Sequence, residues 1–286
     1  MVSLKIRKMT LQDMPILMKL KNQNNWNQLE IDWKRFMRIN PGGCFVALKN
    51  NSIIGTVTTI PYQNSIGWIG MLLVDENCRS RGIGSALLQR GIEYLQNSGK
   101  TTIKLDATEL GKPLYLNRGF KIEACITRYL LEKIAPCDDL AETSKDIILS
   151  PTRDDIQAIL KVDLDYIGYD RSSFLEEFVK DNLERTFISR SQPGYITGRN
   201  GFVNHQIGPF VASGFQVAKD LLLTYILETR IKSAFIDTHS RNDRFNTFLE
   251  RLGAIPHREL IRMYLGESNI TGLHENEYAI SGPEKG

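Results

Sequence analysis

Arg79, Arg81, Gly82 and Gly84 crowd the junction between an apolar run, Trp68 to Val74, and a helical pattern, Ser85 to Gln96. Without a Cβ at 82 and 84, a ligand can come close to the backbone N–H groups, and the helix start adds unpaired donors and a partial positive charge. Guanidinium groups at 79 and 81 suit phosphate oxygens in bidentate geometry. The chemistry is that of a phosphate or pyrophosphate held at a helix N-terminus. A plain strand-to-helix turn is the alternative use of the same glycines. A dinucleotide fingerprint does not fit, because Leu87 stands where G-x-G-x-x-G needs a third small residue.

Other reactive side chains are placed less tellingly. Tyr115 lies four residues before Gly119, at a spacing that suits core packing as well as proton donation. Cys78 adjoins the glycine turn without a histidine or aspartate at a triad-like spacing, and His205, His239, His257 and His274 show no metal-ligand spacing, so no metal site is expected. Net charge is +3 and no basic run of five residues occurs, which argues against a nucleic-acid partner. Cys44, Cys78, Cys125 and Cys137 form no C-x-x-C pair, and neither a secretory leader nor a membrane-length apolar run is evident. A reduced, cytoplasmic protein is the expectation; its oligomeric state is not legible.

The residues around the turn resemble motif A of the GNAT superfamily of acyl-CoA-dependent N-acyltransferases, [Q/R]-x-x-G-x-[G/A], with Arg79, Gly82 and Gly84 in the defined positions. Gly67 to Val74 is similar to that family's fourth strand, and Tyr115-Leu-Asn-Arg-Gly119-Phe120 to its motif B. With Asn25-Trp26-Asn27-Gln28 and Leu105-Asp106-Ala107-Thr108, the chain resembles a tandem-GNAT subgroup, most strongly over residues 1 to about 132. The resemblance implies backbone contacts to the pantetheine arm at Leu73 and Val74 and an oxyanion contact at Leu72. It assigns the pyrophosphate to Arg79, Arg81, Gly82, Ile83, Gly84 and Ser85, and a pantetheine or water contact to Thr108. Thr108 and Gly111 depart from the Asn and Ala usual there. Tyr115 becomes the general acid.

Amine acetylation also calls for a base, since an alkylammonium has a pKa of about 10. Asp106, Glu109, Glu30 and Asp32 are candidates, with Asp106 favoured. Asn25, Trp26, Asn27 and Gln28 form an amide-and-indole cluster in the region where the superfamily builds its acceptor site, suited to a small amine-bearing molecule.

The elements that must position these residues repeat. Leu4 to Arg7, the Thr10–Asp13 capping box and a helix through Leu20 recur as Ile147 to Leu149, Thr152–Asp155 and a helix through Val162. Ile103–Thr108, Leu114–Gly119 and Arg128 recur as Phe235–His239, Phe248–Gly253 and Arg262. The repeat breaks at the cradle: 36 positions separate Gly70 from Asp106, but 29 separate Gly208 from Asp237. Val211 to Val217 has one glycine and no arginine, and Leu249 replaces the tyrosine. The expected fold is α/β (α+β): two tandem GNAT-like domains, each a mixed, mostly antiparallel twisted sheet flanked by helices. The division reads as a catalytic domain 1–135, a linker 136–146, a degenerate domain 147–270 and a tail 271–286. The strand near Ile207 to Ala212, or Tyr169-Asp170-Arg171, is expected to face the acceptor cleft. The implied activity is transfer of acetyl from acetyl-CoA to a small-molecule amine in a ternary complex, without metal. Acetylation of a protein N-terminus or lysine, and an acyl-CoA sensor, are the alternatives.

Overall fold

The computed structural model of the protein describes residues 4–63, 65–132, 147–149, 151–152, 154–267 and 275–286. The expected linker at 136–146 and Cys137 lie outside them. Backbone contacts divide the chain into one unit of residues 1–122, 263–269 and 283–286, and a second of 123–262 and 270–282.

The chain order of the first unit is β1 (Lys5–Lys8), α1 (Met14–Gln23), α2 (Glu30–Ile39), β2 (Cys44–Lys49), β3 (Ser52–Pro61), β4 (Ile66–Val74), α3 (Ile83–Asn97), β5 (Thr102–Ala107) and α4 (Lys112–Leu116). Strands β1 to β4 pair antiparallel in sequence, and β5 adds parallel to β4. The Asp13 carboxylate accepts from the Thr10 N–H (2.8 Å) and hydroxyl (3.1 Å) and fixes the entry to α1, as the capping box requires. Ile83, Leu87, Leu88, Ile92 and Leu95 form the buried stripe of α3. This stripe lies on small residues: a Cβ at Gly55 or Gly67 would crowd Leu87 or Leu95. Burying each such leucine contributes about 1.5–3 kcal/mol, which holds the N-terminal turn of α3 at the end of β4.

After β6 (Lys121–Leu131), the second unit follows the same plan: β7 (Ile147–Leu149), α5 (Ile156–Ile167), α6 (Ser172–Lys180), β8 (Thr186–Ser189), β9 (Gly194–Arg199), β10 (His205–Ala212), α7 (Phe215–Thr229), β11 (Ala234–His239), α8 (Asp243–Arg251), β12 (Ile255–Gly266) and β13 (Glu277–Ala279). Its capping box repeats as well, with Asp155 accepting from the Thr152 N–H at 2.7 Å and hydroxyl at 2.8 Å. Strands β7 to β10 are antiparallel, and β11 is parallel to β10. Phe210, Phe245, Leu221, Leu222 and Tyr225 form the centre of its core.

The closing strands depart from the expected contiguous domains. β6 pairs antiparallel with β11, from Leu131 opposite Ala234 to Ile126 opposite His239. Arg128 therefore meets Asp237 in a buried bidentate pair at 2.6 and 2.7 Å inside the second unit. In the first unit the strand neighbouring β5 is β12, whose end, from Met263, belongs to that unit, and the Thr102 hydroxyl donates to Glu267 O at 3.0 Å. The units are thus interleaved, unlike a division at 135/147. The reason is that the two closing strands are near repeats of one another, and either can supply the same hydrogen bonds to a β5-type edge. Residues 271–286 are likewise no tail: 277–279 are a strand of the second unit, and 283–286 belong to the first, with 284–286 buried.

A chain ending after Glu132 would leave β5 without residues 263–267 and β4 without 283–286. It is expected to lack a cooperative melt and to elute as aggregate in size-exclusion chromatography; a cooperatively melting monomer would show that the exchanged segments are dispensable.

Candidate active site

Strand β4 keeps its parallel pairing with β5 only from Ile66 to Trp68, opposite Thr102 to Lys104. Immediately beyond, Gly70 faces Thr58 and Leu73 faces Thr56, so Met71 and Leu72 oppose a single β3 residue, a β-bulge. Met71 takes a left-handed conformation (φ 48°), and the Thr56 hydroxyl pins its carbonyl at 2.6 Å. The bulge turns β4 away from β5: Leu73 and Val74 have ladder partners on the β3 side alone among the described pairings, and Leu72 lies in the bulge itself. Such an edge accepts an extended amide-bearing ligand as an added strand would.

The edge leads into the glycine turn. Residues 75–82 pass through a single 3₁₀ turn at Glu76–Cys78, then through left-handed Ser80 (φ 59°) and Gly82 (φ 77°), before α3 begins at Ile83. A Cβ on Gly82 would meet nothing within 4 Å, so the backbone angle demands this glycine and the space in front of it is open. The first turn of α3 presents the N–H groups of Ile83, Gly84 and Ser85 with the positive end of the helix dipole.

Arg79 is used differently from expectation: its Nε donates to Val74 O (3.3 Å) and its Nη2 to Asn24 Oδ1 (2.8 Å), which braces the loop against the ends of β4 and α1. Arg81 is exposed beside the turn. Sequence reading missed a further cation. Arg118 donates to the Ser85 hydroxyl and to Gln89 Oε1 (2.9 Å), so its charge sits over the first turns of α3. Its position inside the Tyr115–Phe120 motif was the available signal.

Tyr115 is buried on α4, with its ring edge-on to Phe120 at 5.9 Å. A Cβ on Gly111 would lie 3.1 Å from that ring, and one on Gly84 3.5 Å from neighbouring Leu114, so α4 stands against the cradle. Burial raises the Tyr115 pKa, which keeps the phenol protonated: a proton donor and not a base. The Thr108 hydroxyl accepts from Gly111 N at 3.2 Å and shapes the loop before α4. Asp106 lies half-buried on β5.

The other carboxylates separate. Glu30 pairs with Lys34 (3.1 Å) as an exposed helical pair, and Glu109, in the turn before α4, pairs with Lys112 (3.6 Å). Asp32 is buried, accepts from Leu29 N (2.9 Å) and Arg35 (3.1 Å), and caps α2. The amide cluster divides too: Asn25 is an exposed left-handed turn residue, Trp26 is half-buried, and Asn27 and Gln28 are buried. Gln28 Nε2 donates to Glu284 Oε2 at 2.9 Å. Residues 283–286 lie along β4: the Trp68 indole donates to Pro283 O (3.3 Å), the Tyr62 hydroxyl to Lys285 O, and a Cβ on Gly70 would collide with Glu284 O.

Residues 11–120 match the model of the acetyltransferase (GNAT) family, and residues 159–279 match a second acetyltransferase (GNAT) domain model. The chain belongs to the GNAT acetyltransferases. It is a tandem member and an acyltransferase. A holothin acyltransferase of a Pseudoalteromonas strain is 22% identical over 89% of this chain and 85% of that protein. A putative acetyltransferase of Pyrococcus horikoshii shares the fold with a TM-score of 0.84 at 22% identity, over 99% of this chain and 96% of that one. A tandem GNAT protein from the clavulanic acid biosynthesis pathway does so with a TM-score of 0.67 at 14% identity, over 92% and 98%.

The second GNAT unit carries the same divergence in its sheet, filled by its own chain. β10 pairs with β11 only from His205 to Ile207, and β13 then pairs with β10 at Phe210 and Val211. Ile280 N donates to Asp237 O (3.0 Å) and Ala212 N to Asn276 O (3.1 Å), so residues 276–280 bridge both strands where the first unit leaves β4 unpaired. Only Ser213 and Gly214 separate β10 from α7, too few for a cradle. Glu277 fixes the plug, paired with His239 (2.8 Å), Arg171 (3.4 Å) and Arg262 (3.6 Å). Burial would raise the Glu277 pKa, but the His239 hydrogen bond and the two guanidinium charges outweigh it and hold the carboxyl well below the usual range. Ile207 to Ala212 and Arg171 are thereby committed inside the second unit, contrary to the expectation that they face an acceptor cleft.

Calorimetric titration with acetyl-CoA is expected to give one site per chain; two sites would mean that β13 yields its place. In the same titration Gly84→Val is expected to weaken binding about 10-fold or more, by the loss of at least one charge-assisted hydrogen bond at the helix start. Gly84→Ala, whose Cβ meets the protein only at ordinary contact distance, separates ligand approach from folding. Unchanged affinity in both would remove the phosphate role of the turn.

Proposed function

We propose that the first unit transfers the acetyl group of acetyl-CoA directly to the amine of a small molecule while both are bound. The observation that carries this reading is the unpaired β4 edge running from Leu72 to Val74 into the Gly82–Ser85 turn, with a protonated tyrosine on the adjoining helix. On this reading, the Leu73 and Val74 backbone aligns the pantetheine arm, and the helix start, with Arg81 and Arg118, receives the pyrophosphate. Arg79 holds the loop in shape. A backbone N–H at Leu72 stabilises charge on the thioester oxygen.

The neutral amine forms the new N–C bond, the C–S bond breaks, and Tyr115 gives its proton to the departing thiolate. Asp106, half-buried on β5, is the favoured acceptor of the ammonium proton, through water. The reading takes a small acceptor over a protein N-terminus or lysine, with residues 283–286 packed along β4 and Glu284 bonded to Gln28. The relative named as a holothin acyltransferase is in keeping with a small acceptor.

Tyr115→Phe is expected to lower kcat by about 10- to 10⁴-fold with little change in acetyl-CoA affinity, since only the transition state loses a donor. A Phe variant with full kcat would reduce Tyr115 to a packing residue. Acetyl-CoA binding without CoA release for any amine, in single-turnover assays, would favour an acyl-CoA sensor.

A further inference from the structure

We propose that Glu284 and Gln28 together form the recognition site for the acceptor's ammonium group, and that Lys285 holds the Glu284 carboxylate until the acceptor arrives. The inference rests on the acetyltransferase reading above and names the residues by which that site would select an amine. Glu284 and Gln28 lie 256 positions apart in sequence, and both are buried, with 2% and 5% of their surfaces exposed. The hydrogen bond from Gln28 Nε2 to the carboxylate fixes the orientation of the amide, because a carboxylate can only accept. Gln28 Oε1 is then directed elsewhere, and it is buried without a hydrogen-bond partner.

A buried amide oxygen left unsatisfied costs about 1–3 kcal/mol, an arrangement kept where a ligand supplies the donor. Beside a carboxylate, the complementary ligand is a primary ammonium, whose three N–H groups can serve both acceptors. The carboxylate already holds one alkylammonium: Lys285, buried with 1% of its residue surface exposed, is paired with Glu284 Oε1, and Gln28 Oε1 is left for an added donor. The segment is seated on the strand that the reading makes catalytic. Glu284 O lies where a Cβ of Gly70 would be, two residues before Leu72, and a Cβ on Gly286 would fall 2.7 Å from the Trp68 ring. Any side chain at 70 would displace Glu284, which accounts for a glycine there. A residue whose backbone packs on β4, and whose carboxylate already holds an alkylammonium, is placed to hold that of an acceptor.

The test compares the full-length protein with Glu284→Gln and Lys285→Met, using acetyl-CoA and three amine probes, tyramine, spermidine and glucosamine, with CoA thiol release as the readout. Glu284→Gln is expected to raise the amine KM about 10- to 100-fold, the loss of a charge-assisted bond. Lys285→Met, which removes the internal competitor and keeps an apolar stem, is expected to lower it several-fold. The acetyl-CoA KM should stay the same in both. Opposite shifts are the signature, because a merely structural pair would weaken the enzyme in the same direction from either side. Same-direction shifts, or none, would overturn the proposal. A second measurement does not need turnover: acylation of Lys285 by acetic anhydride, normalised to exposed Lys34 and read by peptide mass spectrometry. Labelling of Lys285 should rise when an amine probe displaces it. If no probe is acetylated and labelling does not respond, the ammonium site is overturned; if labelling responds without transfer, the site stands and the acetyltransferase reading fails for these amines.

Discussion

Backbone hydrogen bonding at a diverging strand is the constraint from which both units follow. Where a bulged strand leaves its parallel neighbour, a row of N–H and C=O groups loses its partners, and each such group costs about 1–3 kcal/mol if it is buried and unsatisfied. The chain meets this cost in two ways. In the second unit, β13 and its flanking residues supply the missing hydrogen bonds permanently, to Ala212 on one side and Asp237 on the other. In the first unit, no strand lies beside Leu72 to Val74 on the β5 side among the described pairings, and the proposed function gives that place to an acyl-CoA arm. On that reading, one backbone geometry is a structural joint in one copy and a ligand slot in the other.

Holding β13 in its slot takes a set of charges that the core would otherwise reject. Glu277 is surrounded by His239, Arg171 and Arg262, while Arg171 also forms a bidentate pair with Asp163 at 2.9 Å, to which Tyr195 donates. Buried ion pairs add little net stability relative to apolar residues, but removing one partner costs about 3–5 kcal/mol because a charge is left unpaired. The network therefore acts as a lock: it makes loss of the plug expensive and fixes its register. The same segment runs on into residues 283–286 of the first unit, so a single stretch of about ten residues fills the slot of one unit and packs on β4 of the other.

A duplicated fold explains how this division arises. Two GNAT copies provide two splayed edges and two closing strands, and the chain uses them unequally. One copy has Gly82, Gly84 and the 75–82 loop, the features to which the proposed function assigns the pyrophosphate; the other has Ser213-Gly214 alone between strand and helix. Arg118 shows how the retained copy reinforces this: a surface arginine bonded to Ser85 and Gln89 adds charge at the helix start, whereas Arg79 is bonded to Val74 O and Asn24 within the loop.

Local signals in the sequence were enough for the family, the duplicated α/β plan, both capping boxes, the glycine turn and its absence from the second copy. These features depend on residues close together in the chain: Thr10 with Asp13, Thr152 with Asp155, and Gly82 with the first turn of α3. Tertiary structure alone decided three things. It gave β6 to β11, so that Arg128 meets Asp237; it sent residues 276–280 into the second slot; and it brought Glu284 to Gln28. The physical reason is the same in each case. Strand edges offer nearly identical hydrogen bonds whatever their sequence, so the choice among edges rests on side-chain fit between segments from about forty to more than two hundred positions apart, which neither spacing nor periodicity records.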